Sequence, residues 1–189
     1  MKNVIFAGVG GQGVILVSKI LMEAAKNAGY DVKESEVHGM AQRGGSVDCH
    51  VRYGKEVFSP IIEKGTADYI VSLELLEIMR KLDYLSPEGM VIINMDKINP
   101  APVETGAMKY PADLESWLKD NVKKSHIVNT ESALKEVSSR KALNVVMLGA
   151  LSKFLEFNEE EWHKAIKHCV KEKFYDMNLK AFNLGRKLV

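Results

Sequence analysis

One local pattern narrows the folds open to this chain more than any other. Gly8-Val9-Gly10-Gly11-Gln12-Gly13 follows directly on an apolar run, Lys2 to Ala7, and leads into Val14 to Ala28, where apolar residues recur at spacings of three and four. Strand, glycine turn, helix is the order in which G-x-G-x-x-G has structural meaning. The glycines allow a tight turn and close backbone approach, while the amides and dipole at the helix start attract an anion such as a pyrophosphate. The same glycines would also let a first helix pack closely on its strand with no ligand. Either way the chain opens on a βα unit, and an α/β fold follows.

A dinucleotide site would add an acidic residue about 20 positions beyond the motif, at the end of the second strand. Asp31, Glu34 and Glu36 are the acidic residues in that region. Asp31 begins the strand read over 31–37, Glu34 and Glu36 lie within it, and its end is held by Val37 and His38. That placement argues against a nicotinamide or flavin cofactor.

Beyond it the periodicity predicts a strand at 46–53. Gly54-Lys55 before Glu56-Val57-Phe58 reads as a hairpin turn, which would bring antiparallel strands into a mostly parallel sheet. Strands are expected at 69–73, 90–94 and 126–129, with helices at 75–82 and 112–119 and an irregular, proline-bearing stretch at 96–111. Thr130 is expected to cap a helix through 137. Helices then dominate: 142–154, with a small-residue face of Ala142, Gly149 and Ala150; 159–171, capped by Asn158 with Glu161; and 176–188. The expected architecture is a Rossmann-like, three-layer α/β fold whose mostly parallel sheet carries an antiparallel hairpin and a helical C-terminal part.

The chain has 189 residues, 46% of them hydrophobic, with 26 basic against 25 acidic side chains. The length fits one domain over residues 1–189 with a sizeable core. The balanced charge, with no local Lys/Arg block, argues against nucleic acid as a partner. No apolar run approaches the roughly 18 residues of a membrane span, and the first residues show no signal-peptide layout. A soluble, cytoplasmic protein with no membrane partner is expected. Cys49 and Cys169 are the only cysteines, too few for a four-thiolate zinc or iron–sulfur site. They are expected as two buried thiols rather than a disulfide.

A second pattern, His38-Gly39-Met40-Ala41-Gln42-Arg43-Gly44-Gly45, joins two of the expected strands. An arginine beside paired glycines can present its planar fork to a carboxylate or phosphate while the backbone approaches closely. An ordinary salt bridge from Arg43 to a neighbouring acid would equally satisfy it. His50, alternating with Cys49 and Val51, reads as a structural histidine. Trp117 and Trp162 read as packing anchors, and the nine methionines as gap fillers in the core. His163, Lys164, Lys167, His168 and Lys171 read as a solvated basic face.

Taken together, Gly8 to Val14, Arg43-Gly44-Gly45-Ser46 and the strand Cys49-His50-Val51-Arg52 resemble the gamma-type subunit or domain of the 2-oxoacid:ferredoxin oxidoreductases, in the family's order and spacing. Ser35 to Val47, Val57-Phe58-Ser59-Pro60 and Asn144 to Leu151 look most like the small (beta) subunit of the indolepyruvate branch. His38 stands where the pyruvate and 2-oxoglutarate branches typically carry an aromatic residue, and Ala41 where they carry an acidic one, which favours the arylpyruvate branch.

The resemblance implies an oxidative decarboxylation that needs thiamine diphosphate, magnesium and iron–sulfur clusters, with electrons passing to ferredoxin and the acyl group to coenzyme A. None of these cofactors is expected on this chain alone; a larger alpha subunit would hold them. The present chain would then complete the assembly, with Gly8, Gly10, Gly11, Gln12, Gly13, Arg43, Gly44, Gly45 and Ser46 as candidates for a coenzyme A contact. The glycine-rich turns could equally dock the partner subunit. His38 is the one candidate for a chemical role, through its near-neutral imidazole; the alternative is that it only caps the strand end or packs against the alpha subunit. The alternatives are a subunit acting on pyruvate, 2-oxoisovalerate or another 2-oxoacid and, from a different class, a free-standing nucleotide-binding or assembly module.

Overall fold

The computed structural model describes residues 1–38 and 45–189. Its centre is a six-stranded sheet in the order β2-β3-β1-β4-β5-β6. The strands are β1 Lys2–Val9, β2 Asp31–His38, β3 Ser46–Gly54, β4 Ala67–Ser72, β5 Leu85–Asn94 and β6 Ser125–Val128. β1, β4, β5 and β6 pair in parallel, whereas β3 lies between β1 and β2 and is antiparallel to both.

The antiparallel hairpin expected from the sequence is therefore present but displaced by one loop. It is β2–β3, and Glu56 to Phe58 form no strand. The physical reason is that β3 has no free edge: β1 and β2 occupy both sides, so a strand turning back at Gly54-Lys55 has nothing to pair with. Those residues instead lead into a segment fixed from the sheet. Val57 N donates to Asp31 Oδ2 at 2.8 Å, and the Arg52 guanidinium donates to the carbonyls of Ser59 and Ile61, each at 2.9 Å.

The two faces of the sheet carry alternate residues, as a two-residue repeat requires. Val4, Phe6, Cys49, Val51, Val71 and Ile92 face a large core. Above it lie α1 (Val14–Asn27) and α6 (Leu143–Ser152), with α7 (Glu159–Cys169) packed on α1 and α8 (Tyr175–Gly185) on α6. Because α6 is enclosed by sheet and helices, all of its residues are buried, and a helix so placed is apolar all round. Ile5, Ile70, Val91 and Ile93 face a smaller core under α2 (Leu75–Met79) and α4 (Leu114–Asn121). Two short helices, α3 (Ala101–Glu104) and α5 (Glu131–Glu136), complete the order. No described helix is long and apolar enough to cross a membrane.

Close helix packing depends on glycine at one crossing. A methyl carbon placed on Gly149 of α6 would lie 2.1 Å from Phe182 O, and one on Gly185 of α8 would lie 1.9 Å from Val146 O. The two helices therefore touch backbone to backbone, each through a glycine of its own.

Local capping follows the sequence in one helix and departs from it in another. In α7 the Asn158 side chain accepts from Glu161 N at 3.0 Å and the Glu161 side chain from Asn158 N at 2.7 Å, the expected reciprocal box. At α5 the Thr130 hydroxyl does not cap the helix. It donates to Asn94 Oδ1 at 2.9 Å, and Asn129 Oδ1 accepts from Glu131 N. Buried Asn94 needs a donor partner more than an exposed helix start does. α7 ends at Cys169, which leaves Lys171 outside the expected basic face.

Trp162 is a fully buried anchor, but Trp117 is 43% exposed. Met147 is buried in the core while Met1 and Met108 are exposed, so the methionines are not uniformly core fillers. Both cysteines are free, Cys49 buried and Cys169 partly so.

Glu74 is the polar residue that the sequence pattern least announces. It is 1% exposed, and its carboxylate accepts four hydrogen bonds. Oε2 takes the amides of Leu76 (2.6 Å) and Glu77 (3.0 Å), and Oε1 takes Ile98 N (3.1 Å) and the Tyr110 hydroxyl (2.7 Å). One side chain thus caps α2 and fastens the irregular, proline-bearing stretch beside it.

On the other side of the sheet, the Ser18 hydroxyl of α1 donates to Glu34 of β2. Burial raises the Glu34 carboxyl above its ordinary value, with the Ser18 bond opposing that rise. The folded chain then holds this proton more tightly than the unfolded chain, so the contribution to stability falls as pH rises above the unfolded carboxyl value. Glu34→Gln, which keeps an acceptor for Ser18, should raise the urea midpoint at pH 7 to 8, with a gain that shrinks toward pH 4. Identical midpoints for both proteins across that range would show that Glu34 ionises without penalty.

Candidate functional site

The sheet changes direction of travel between β1 and β4. From β1 the chain passes through α1 to the β2 edge, and from β4 it builds outward to β5 and β6. The crevice beyond the strand ends at such a switch point is where ligands settle in open α/β sheets. The glycine loop occupies it.

Within that loop the residues have distinct roles. Gly11 (φ 104°) and Gly13 (φ 80°) have left-handed backbones, which L side chains adopt at a cost. A methyl carbon on Gly13 would also lie 2.3 Å from Asn144 Nδ2, which donates to Gly13 O at 3.1 Å. The close approach at Gly13 is thus to α6, not to a strand. Gln12 braces the loop: its Oε1 accepts from Val9 N at 2.8 Å and its Nε2 donates to Leu73 O at 3.0 Å. Gly10 N donates to Gly45 O at 2.8 Å, joining the loop to the residue just before β3.

These bonds show which groups remain for an anion. The Gly10 amide and the Gln12 side chain are already engaged within the fold. The amides of Leu16 and Val17 turn back to Gly13 O, and the first amides of α1, Val14 and Ile15, precede any intrahelical acceptor. The helix start, rather than the whole loop, carries the capacity for a negative charge.

Leu73 O also accepts from Asn94 Nδ2 at 3.1 Å, and Asn94 in turn accepts from Thr130. A continuous row of hydrogen bonds therefore crosses the ends of β1, β4, β5 and β6. Beyond its far end lies a crevice of about 720 Å³, lined in part by Asn94, Asp96, Asn129, Thr130 and Arg140. Arg140 spans it to Asp96 at 3.1 Å.

Of the second pattern, Gly45 and Ser46 are described. Arg43 and Gly44 lie outside the described residues, as does the His38 side chain; the His38 backbone ends β2 opposite Val47. The Ser46 hydroxyl donates to the Glu77 carboxylate. Asp48 is an ion-pair partner of Lys81 (2.7 Å) and lies 3.2 Å from His50 Nε2. Burial pushes the Asp48 carboxyl up, but His50 and Lys81 outweigh it and hold it below its ordinary value. His50 is 6% exposed and stacks edge-on with Tyr84, a structural setting.

Sequence reasoning did not single out Glu77, Lys81 and Asn94. Asn144 entered only as the first residue of a segment that carries the family resemblance, and its contact with Gly13 was not foreseen.

Two cofactor classes meet physical objections. A dinucleotide would need the acidic residue of β2 beside β1, but β3 intervenes and adds a strand spacing of about 4.8 Å. For an iron–sulfur cluster the thiols are too few, and burial pushes Cys49 up to about 12 and Cys169 up to about 11, the reverse of a thiolate ligand. Among the described residues, no group of three or more His, Cys, Asp or Glu could hold a metal ion.

Known proteins resemble this chain along nearly its whole length. Residues 3–188 match the pyruvate ferredoxin/flavodoxin oxidoreductase family. Indolepyruvate oxidoreductase subunit IorB of Archaeoglobus fulgidus is 39% identical over 187 residues, covering 97% of this chain and 92% of the relative. Among solved structures, the gamma subunit of a keto/oxoacid ferredoxin oxidoreductase from Geobacter sulfurreducens shares the fold with a TM-score of 0.71 at 22% identity, over 99% of this chain and 97% of that one. The 2-oxoglutarate:ferredoxin oxidoreductase of Magnetococcus marinus, solved with 2-oxoglutarate, coenzyme A and succinyl-CoA bound, does so with a TM-score of 0.73 at 20% identity, over 99% of this chain and 30% of that one. Family match, near-full-length identity and shared fold agree: this chain belongs to the pyruvate ferredoxin/flavodoxin oxidoreductase family.

Proposed function

We propose that the chain is the small subunit of an indolepyruvate:ferredoxin oxidoreductase, and that it helps to form the coenzyme A entrance of the assembled enzyme. The observation that carries the substrate class is the 39% identity to an indolepyruvate oxidoreductase subunit along 97% of the chain. A partner alpha subunit supplies thiamine diphosphate, magnesium and the iron–sulfur clusters, and ferredoxin takes the electrons.

Coenzyme A carries a diphosphate and a ribose 3′-phosphate. A helix start with unspent amides suits one such group, and the bidentate fork of Arg43 suits another. The Gly10–Gly45 bond supports this reading, because it ties the glycine loop to the end of the connection that contains Arg43. A cytoplasmic location would follow from the same chemistry, since ferredoxin and coenzyme A must both be within reach.

The test is reconstitution with the alpha subunit, thiamine diphosphate, magnesium, coenzyme A and ferredoxin under anaerobic conditions. Indolepyruvate should reduce ferredoxin faster than pyruvate, 2-oxoisovalerate or 2-oxoglutarate. Preference for one of those acids would replace the substrate, and failure of all of them would remove the subunit assignment. Arg43→Lys should assemble normally and raise KM for coenzyme A about tenfold or more, because lysine lacks the bidentate fork. An unchanged KM would take Arg43 out of the entrance.

A further inference from the structure

Two side-chain ties join α2 and the turn after it to the first half of β3. Ser46 donates to Glu77, whose other oxygen is held by Arg80 Nε at 3.2 Å. Asp48 meets Lys81 at 2.7 Å, with their side chains 5% and 15% exposed. Ser46 and Asp48 are two residues apart on a strand, about 6.7 Å. Glu77 and Lys81 are four apart along a helical turn, about 6 Å. The two ties thus form a matched pair of rungs.

A buried ion pair is a poor source of net stability, since apolar residues of similar size often do as well. What it supplies that leucine does not is position. In a sheet with both faces covered, a one-residue slip of β3 would carry Asp48 and His50 to the α1 face, against Phe6 of β1 and the apolar core there, and would break both rungs. In the observed register Ala7 opposes Asp48 and Val9 opposes Ser46, and in that register Gly45 O receives Gly10 N.

We propose that Glu77 and Lys81 are positioning residues that lock the register of β3 against β1, so that Gly45 stays bonded to Gly10 and the glycine loop keeps its shape. For coenzyme A this rests on the function proposed above; for the loop itself it does not. The lock acts from the face of the sheet opposite α1, so these residues touch no ligand.

The first arm uses the full chain alone and follows hydrogen exchange of the Gly10 amide by NMR. Asp48→Leu/Lys81→Leu removes the charged rung while keeping the site filled; it also takes the carboxylate away from buried His50, so it should fold with a modestly lower urea midpoint than the parent. Its Gly10 amide should exchange at least about tenfold faster, while amides of β4 and β5 are unchanged. Glu77→Ala should do the same through the other rung. Lys81→Arg, which keeps the charge, should restore slow exchange.

If the double variant does not fold, Glu77→Ala and Lys81→Arg carry the test alone. Parent-like exchange at Gly10 in Glu77→Ala, or in the folded double variant, would overturn the register lock. The second arm measures KM for coenzyme A with the same variants in the reconstituted enzyme, where a rise of about tenfold with little change in kcat is expected. Fast Gly10 exchange with an unchanged KM would keep the lock and remove the coenzyme A reading. Slow exchange with a raised KM would remove the lock and leave that reading standing.

Discussion

Gly185→Ala should destabilise the chain by at least about 3 kcal/mol, although alanine is the better helix former. Helix propensity alone favours alanine over glycine by about 1 kcal/mol. The new methyl, however, would lie 1.9 Å from Val146 O, and the obstacle is a backbone carbonyl in the middle of α6, not a side chain that can rotate. Relief requires α8 to move off α6, opening a core that includes Trp162 and Phe182. Overpacking of this kind costs about 1–3 kcal/mol even where side chains can adjust, and more where they cannot. A fall in melting temperature of roughly 6 °C or more is expected for a chain of this size. Gly149→Ala, facing Phe182 O at 2.1 Å, should behave alike. A melting temperature within a degree of the parent for either variant would mean that the two helices are not in backbone contact.

Glu74→Ala should cost about 3 kcal/mol or more, because a hydrogen bond to a charged group is worth about 1.5–3 kcal/mol and four neutral donors share this carboxylate. The loss would leave two amides at the start of α2, the Ile98 amide and the Tyr110 hydroxyl without their acceptor. Glu74→Gln should fall between parent and alanine, because it retains one acceptor oxygen but turns an amide donor toward other donors. The damage should be uneven. Limited proteolysis ought to cut first within 96–111, the stretch that Glu74 fastens, before the sheet unfolds. Parent-like protease resistance and urea midpoint in Glu74→Ala would show that the four bonds are replaceable by solvent.

Features decided by near neighbours were the ones legible in the sequence. The glycine turn between β1 and α1, the reciprocal cap at Asn158 and Glu161, and the buried strand at β4 all depend on residues a few positions apart. The place of β3 does not. Its pairing with β1 joins residues far apart in the chain, such as Lys2 with Tyr53, and alternation cannot tell a strand with two partners from one with a single partner. The false hairpin at Gly54-Lys55 came from that blindness. Thr130 looked like a cap because its true partner, Asn94, is remote. At the site, Gly13 was legible as a glycine that must be a glycine, but its reason, Asn144 on α6, was not. Glu77 and Lys81 were silent because a carboxylate and an ammonium on a short helix ordinarily face water.

The exposed edge at β2 has a consequence for self-association. If two copies extended their sheets through this edge about a perpendicular two-fold axis, residues facing each other would have to come from the same face of the strand. The registers with substantial overlap then oppose Lys33 to Lys33, Glu34 to Glu34, Glu34 to Glu36, or Glu36 to Glu36. Each sets like charges at cross-strand distance, which is unfavourable. Charged side chains on an open edge are a recognised defence against unwanted pairing. Here the charge order along a single strand disfavours growth of the sheet into a second copy of itself.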